Sequence, residues 1–251
     1  MSLPPVLNAA RHAYVGQSGT GKSHAAKLAV AQYLKAQGAR VVVIDPDDEW
    51  SKLGEKSDHV TLGPCTHRAT FEELVSDPGR HLDRERVALS VVVDDNEDEA
   101  SQQIAEFVEI MKDTGDCLVI FEESGAYAGP DVSEQAGKKA MAKIATRGRH
   151  WGCPVIFCAQ RLVQIPPSAR AQLTDLQIFR QVLPSDLDAL TELAGRSGAK
   201  VRRLAGPERW HSGRELPDVI AGLADREFAV WSATMQAPGK SNAVNEGEQK
   251  K

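Results

Sequence analysis

Residues Gly16-Gln17-Ser18-Gly19-Thr20-Gly21-Lys22-Ser23 decide how the rest of the chain is read. They satisfy G-x-x-x-x-G-K-[ST], and they do so between an apolar, β-branched run at 12–15 and a helical pattern over 22–36. That context gives the spacing a physical meaning. The glycines let backbone N–H groups curl around phosphates, and the helix that begins at Lys22 adds the positive end of its dipole. Lys22 has the reach for β- and γ-phosphates, and the Ser23 hydroxyl is a ligand for Mg²⁺. Gly16, Gln17, Ser18, Gly19, Thr20, Gly21, Lys22 and Ser23 are therefore the candidate nucleotide-binding residues, with ATP and Mg²⁺ the expected cofactors.

Working outward, further apolar runs at 40–44, 87–93, 117–121 and 154–158 alternate with helical patterns over 97–112 and 134–146. Several runs are continuously apolar, as in strands covered on both faces, so the pattern predicts an α/β fold with a mainly parallel central sheet flanked by helices. Segments at 176–182 and 227–232 are candidate further strands, with a helix at 185–194 between them. The chain reads as one domain over 1–234. The charged, turn-rich stretch 53–86 is an expected insertion or lid, and the polar residues 235–251 an expected disordered tail.

A phosphate loop does not separate kinases, switches and motors, so the next question is whether a carboxylate stands where a water could be activated. The apolar run 117–121 ends in Glu122-Glu123. Adjacent residues at a strand end point different ways, which assigns Glu122 to the metal and Glu123 to the attacking water. A pair of acids opening a helix is the plainer reading. The run 154–158 leads to Gln160, whose amide is suited to sensing a γ-phosphate, or which is simply a solvated strand terminus. Arg147 and Arg149, in Arg147-Gly148-Arg149-His150, read either as a helix terminus with favourable dipole charge or as guanidinium groups aimed at a neighbouring subunit's nucleotide. Asp45 and Glu49 fit a segment near the nucleotide or an Asp-Pro turn with solvated acids, and neither joins the catalytic set.

Composition narrows the partners. The 251 residues carry a formal net charge of −5, with 41% hydrophobic, 26% charged and only 5% aromatic side chains. Few aromatics disfavour a base-stacking platform for single strands, and the acidic balance disfavours a surface that coats nucleic acid all over. Two local basic groupings remain: Lys138, Lys139, Lys143, Arg147 and Arg149, and Arg196, Lys200, Arg202, Arg203, Arg209 and Arg214. Each is a candidate nucleic-acid track or a solvated face. The four cysteines, Cys65, Cys117, Cys153 and Cys158, lack metal-type spacing and suit a reduced compartment. No apolar run is long enough to span a bilayer.

The phosphate loop, the strand ending Val43-Ile44-Asp45-Pro46-Asp47-Asp48-Glu49-Trp50, the Glu122-Glu123 strand end, and Arg147-Gly148-Arg149-His150-Trp151-Gly152 running into residues 156–161 occur in an order that resembles P-loop ATPases of the FtsK/HerA superfamily. These are ring-forming DNA translocases that include the genome-packaging ATPases of membrane-containing viruses. The resemblance covers residues 10–185. It implies a RecA-like, ASCE-type core, assembled as a homo-oligomeric ring, expected as a hexamer, with nucleotide at subunit interfaces and double-stranded DNA as the partner. It also implies a cytoplasmic or virion-associated location and docking to a capsid vertex or membrane-associated protein. By position, Lys22 and Ser23 are the phosphate-loop pair, Glu123 the catalytic acid, Gln160 the strand-end sensor and Arg149, with Arg147 beside it, the finger in trans. The family usually carries Asp where this chain has Glu122. The competing classes are a small-molecule or nucleoside kinase and a non-translocating ATP switch or assembly factor.

Overall fold

The computed structural model describes residues 11–37, 40–51, 64–83, 87–195, 199–202, 209–212, 214–225 and 227–233. The expected tail at 235–251 lies outside them. The strands are β1 (Arg11–Val15), β2 (Val41–Ile44), β3 (His67–Thr70), β4 (Ala88–Val92), β5 (Leu118–Phe121), β6 (Val155–Ala159), β7 (Asp175–Ile178), β8 (Ala199–Arg202), β9 (Arg209–His211) and β10 (Phe228–Ser232). The helices are α1 (Lys22–Gln37), α2 (Phe71–Ser76), α3 (Pro78–Leu82), α4 (Glu97–Thr114), α5 (Gly125–Ala128), α6 (Ala136–Arg147), α7 (Pro167–Arg170), α8 (Pro184–Ala194) and α9 (Leu216–Ala221).

All ten strands join one sheet in the order β3-β4-β2-β5-β6-β1-β7-β10-β8-β9. Pairing is parallel from β3 through β7. It is antiparallel from β7 through β10 and β8 to β9. Side chains alternate between two cores, which explains the continuous apolar runs. Val42, Ile44, Val119, Phe121, Val155 and Phe157 face one layer, and Val41, Val43, Leu118, Ile120, Ile156 and Cys158 face the other. Helices α4 and α6 pack together over the first face, and residues of α1 pack into the second. Asn96 starts α4 by accepting the N–H groups of Asp98 and Glu99 at 3.0 and 3.2 Å, so the acidic run at 94–99 contains an N-cap and a first helical turn.

Part of the stretch 53–86 joins the sheet. Residues 67–70 form β3, paired in parallel with β4, and a Thr70–Glu73 capping box starts α2 directly afterwards. This part is a strand–helix unit of the sheet's edge; residues 52–63 and 84–86 lie outside the described ones. Its strand, His-Arg-Ala-Thr, buries only Ala69, so it carries no apolar period to read.

Candidate nucleotide site

Parallel pairing brings the C-terminal ends of five strands to one rim of the sheet. Val15 stands opposite Ala159 and Ile178, Phe121 opposite Phe157, and Ile44 opposite Phe121. The phosphate loop leaves β1 at this rim. Gly16 N–H donates to the Ala159 carbonyl at 3.2 Å and Gln17 N–H to the Arg180 carbonyl at 3.2 Å. A Cβ on Gly16 would stand 2.4 Å from the Phe179 Cβ, so only glycine fits there. Gly21 turns the chain into α1 with φ +99°, a region closed to other residues without strain. Thr20 closes the loop internally, its hydroxyl donating to the Gln17 carbonyl at 2.7 Å.

Helix α1 and the end of β5 then converge. The Lys22 ammonium lies 3.3 Å from Glu123 Oε2 and 3.7 Å from Glu122 Oε1, and the Ser23 hydroxyl donates to Glu122 Oε1 at 2.8 Å. Lys22 and Glu122 are each 5% exposed. Burial alone would lower the Lys22 ammonium, but the two carboxylates outweigh it and hold the group above the usual lysine range. Glu123 sits in left-handed backbone at φ +43°, a strained setting for a non-glycine residue of the kind found at functional sites. Its surroundings fix that geometry. The Tyr127 hydroxyl donates to the Glu122 carbonyl at 2.8 Å, and the Ser124 hydroxyl to the Cys158 carbonyl at 3.0 Å.

These residues fit a magnesium ion. Glu122 Oε2 is buried without a hydrogen-bond partner, beside a carboxylate oxygen already shared with the Ser23 hydroxyl. A hydroxyl, a buried carboxylate and phosphate oxygens form the hard oxygen set that Mg²⁺ prefers. Among the described residues, no group of three or more His, Cys, Asp or Glu side chains is placed to hold a metal without such a ligand.

Gln160, directly after β6, is exposed at the same rim, one residue beyond the carbonyl that holds Gly16. Arg147 and Arg149 are exposed at the other rim, where a 3₁₀ turn at Gly148–Trp151 leads into β6. Burial and the neighbouring Arg149 charge lower the Arg11 guanidinium, which places Arg149 near the first residue of β1. Five strand rises of about 3.3 Å put that rim about 16 Å from the loop that follows β1. The structure thus brings Lys22, Ser23, Glu122, Glu123 and Gln160 together and leaves the arginines outside this chain's own site.

Asp45 has a structural task. It is fully buried at the end of β2 and accepts from Glu49 N–H at 3.0 Å, Trp50 N–H at 2.8 Å and the Ser90 hydroxyl at 2.7 Å. Burial pushes its carboxyl up, and these three hydrogen bonds offset part of that push. Glu49 pairs with Lys27 on α1. The first basic grouping is also partly spoken for. Lys143 pairs with Glu109 on α4 and Lys138 donates to the Val132 carbonyl, leaving Lys139, Arg147 and Arg149 exposed. In the second grouping, Lys200 and Arg209 lie on the paired strands β8 and β9, while Arg196 and Arg203 fall outside the described residues. Sequence reasoning missed Gln181 and Asp186, buried polar side chains beside Gln160 and Arg161; an acid in the first turn of a helix gives no signal beyond ordinary dipole compensation.

A phosphate loop on β1, next to β6, with β5 beyond it ending in two acids, defines a RecA-like P-loop ATPase core. More narrowly, the model of the helicase HerA central domain matches residues 9–144, and the chain belongs to that family. A search among curated proteins finds no match. Among solved structures, the genome-packaging NTPase B204 of Sulfolobus turreted icosahedral virus 2, in complex with AMPPCP, superposes with a TM-score of 0.61 at 16% identity, covering 92% of this chain and 96% of that one. The bacterial conjugative coupling protein TrwBdeltaN70 gives 0.59 at 12% identity, covering 93% and 85%. At these identities the likeness is one of fold. No helix among the described residues is long and apolar enough to cross a membrane.

Proposed function

We propose that the protein is an ATP-hydrolysing motor that moves double-stranded DNA as a homo-oligomeric ring, in the manner of a viral genome-packaging ATPase. The observation that carries this reading is the closed constellation at the sheet rim, in which Lys22 bridges Glu123 and Glu122 while Ser23 is bonded to Glu122. Family membership and the fold shared with B204 and TrwBdeltaN70 supply the direction from ATPase to DNA motor.

In this reading backbone N–H groups of residues 16–23 cradle the phosphates, and Lys22 exchanges its carboxylate partners for β- and γ-phosphate oxygens. That exchange frees Glu123, which orients a water in line with the γ-phosphorus and takes its proton as the oxygen–phosphorus bond forms and the bond to the β-phosphate oxygen breaks. Ser23 and Glu122 would hold Mg²⁺, which would supply neutralisation of phosphate charge. Gln160 hydrogen-bonds the γ-phosphate or the attacking water. Arg149, with Arg147 behind it, projects from the opposite rim to the nucleotide of a neighbouring subunit, where a permanently charged planar fork neutralises transition-state charge. The exposed basic residues of the β8–β9 segment are a candidate DNA track, multiplied by the ring into a positive channel despite the acidic total charge.

Steady-state ATP hydrolysis with and without long double-stranded DNA, over a wide range of protein concentration and with Lys22→Ala as the blank, tests the reading. DNA stimulation that rises cooperatively with protein supports a ring motor. Turnover that ignores DNA and scales linearly with protein overturns it in favour of a switch, and phosphoryl transfer to a metabolite in favour of a kinase.

A further inference from the structure

Residues 180–186, which run from just beyond β7 into the first turn of α8, touch both halves of the site. The Arg180 carbonyl accepts Gln17 N–H from the phosphate loop. The next residue, Gln181, is 1% exposed and its amide donates to the Gln160 carbonyl at 2.9 Å. Asp186 is fully buried, and its carboxylate accepts from Arg161 Nε at 2.9 Å and from Val163 N–H at 3.3 Å. Arg161 also donates to the Ser185 hydroxyl at 2.9 Å. The chain leaving β6 is therefore gripped at two successive residues by the segment that holds the phosphate loop.

Two features set this apart from ordinary helix capping. Asp186 occupies the first turn of α8, where an acid usually faces the helix's own free N–H groups and solvent; here it is buried and committed to Arg161 and Val163 of another segment. A buried carboxylate is costly to desolvate, and the paired arginine offsets part of that cost. Gln181 places a polar side chain in the interior for a single main-chain partner, and that partner is the residue with the exposed amide at the nucleotide rim.

We propose that residues 180–186 form a strap that sets the position of Gln160 relative to the phosphate loop, with Gln181 and the Arg161–Asp186 pair as positioning residues for hydrolysis. The proposal rests on the reading of Gln160 as the sensor of the γ-phosphate or lytic water. A carbonyl held from one side and a following side chain held from the other leave Gln160 little freedom except in its own side chain. Small displacements of such a group cost turnover more than binding, because the phosphate loop, not Gln160, holds the nucleotide.

The test is a double-mutant cycle read in kcat, KM and equilibrium binding of a fluorescent ATP analogue. Gln181→Met keeps the volume and removes the donor. It is expected to lower kcat about tenfold with KM and analogue affinity changed less than twofold. In a Gln160→Ala background, Gln181→Met is expected to change kcat by less than twofold, because there is no sensor left to misplace. A purely structural role instead predicts that the two effects multiply, and that result overturns the proposal, as does an equal loss of analogue affinity. The paired replacement Arg161→Gln/Asp186→Asn, which keeps two hydrogen-bonding side chains without buried charge, provides an independent route and is expected to show the same dependence on Gln160. If Gln160→Ala alone leaves kcat unchanged, the sensor reading falls and the strap with it. If Gln160→Ala is impaired while both strap variants match the wild type, only the strap falls.

Discussion

Glu123→Gln separates hydrolysis from binding in a direction that the geometry specifies. The Lys22 ammonium is 3.3 Å from Glu123 Oε2, a gross attraction of about 5 kcal/mol at an effective dielectric constant near 20. Most of this is cancelled by desolvation and by the nearby Glu122, leaving a net of about 1 kcal/mol for a pair of this kind. ATP must recover Lys22 from that pair before the ammonium can reach the phosphates. Removing the charge of Glu123 removes one competitor, so ATP is expected to bind about fivefold more tightly. With Glu123 proposed as the general base, its loss is expected to lower turnover by about 10² to 10⁴. Equilibrium binding of Mg-ATP by calorimetry, beside steady-state phosphate release, reads both quantities on the same preparation. A variant that binds ATP more weakly than wild type, or that keeps turnover within tenfold, refutes the assignment. If Glu122→Gln produces the ATP-trapped state instead, the roles of the two acids are exchanged.

Lys22→Ala is expected to abolish hydrolysis and to weaken ATP binding, opposite in sign to Glu123→Gln, in the same binding assay. Arg149→Ala is expected to lower turnover of the assembled protein at least tenfold while leaving ATP binding by dilute single subunits unchanged; weakened binding by a monomer would place the arginine in its own subunit's site. Mixing Arg149→Ala with Lys22→Ala subunits is expected to restore part of the activity, since each supplies what the other lacks. Asp45, whose carboxyl is pushed up by burial, binds its proton more tightly folded than unfolded, so its contribution to stability falls as pH rises from about 4 through the folded value. Asp45→Asn is expected to remove that component, seen as a wild-type-minus-variant unfolding free energy that becomes less favourable to the wild type with rising pH in urea titrations; a difference independent of pH would contradict it.

The phosphate loop and the two-sided strands were legible because each is a local pattern. A G-x-x-x-x-G-K-S spacing between strand and helix, and apolar runs covered on both faces, carry their meaning within a dozen residues. The first residue of α1 and the strand leading to Glu122 stand where the pattern puts them. Edge strand β3 was not legible, because one buried alanine among three polar residues makes no period. The basic run on α6 illustrates a different limit. It contains no acid along the chain, yet the fold brings Glu109 from α4 against Lys143, so linear charge overstated the free positive surface.

By itself, then, the sequence determined the fold class, the glycine-rich loop between β1 and α1 and the pair of acids after β5, since these follow from residue type and short-range spacing. Only the tertiary structure decided which partners the acids take, with Lys22 held between them and Ser23 bonded to Glu122 across 99 residues of chain. It alone placed Arg149 at the rim away from this chain's own phosphate loop, and it alone turned Gln181 and Asp186 inward onto the segment that follows β6. The reason is physical: parallel strand register sets which loop ends meet at a rim, and buried polar side chains must find partners there, wherever in the chain those partners lie.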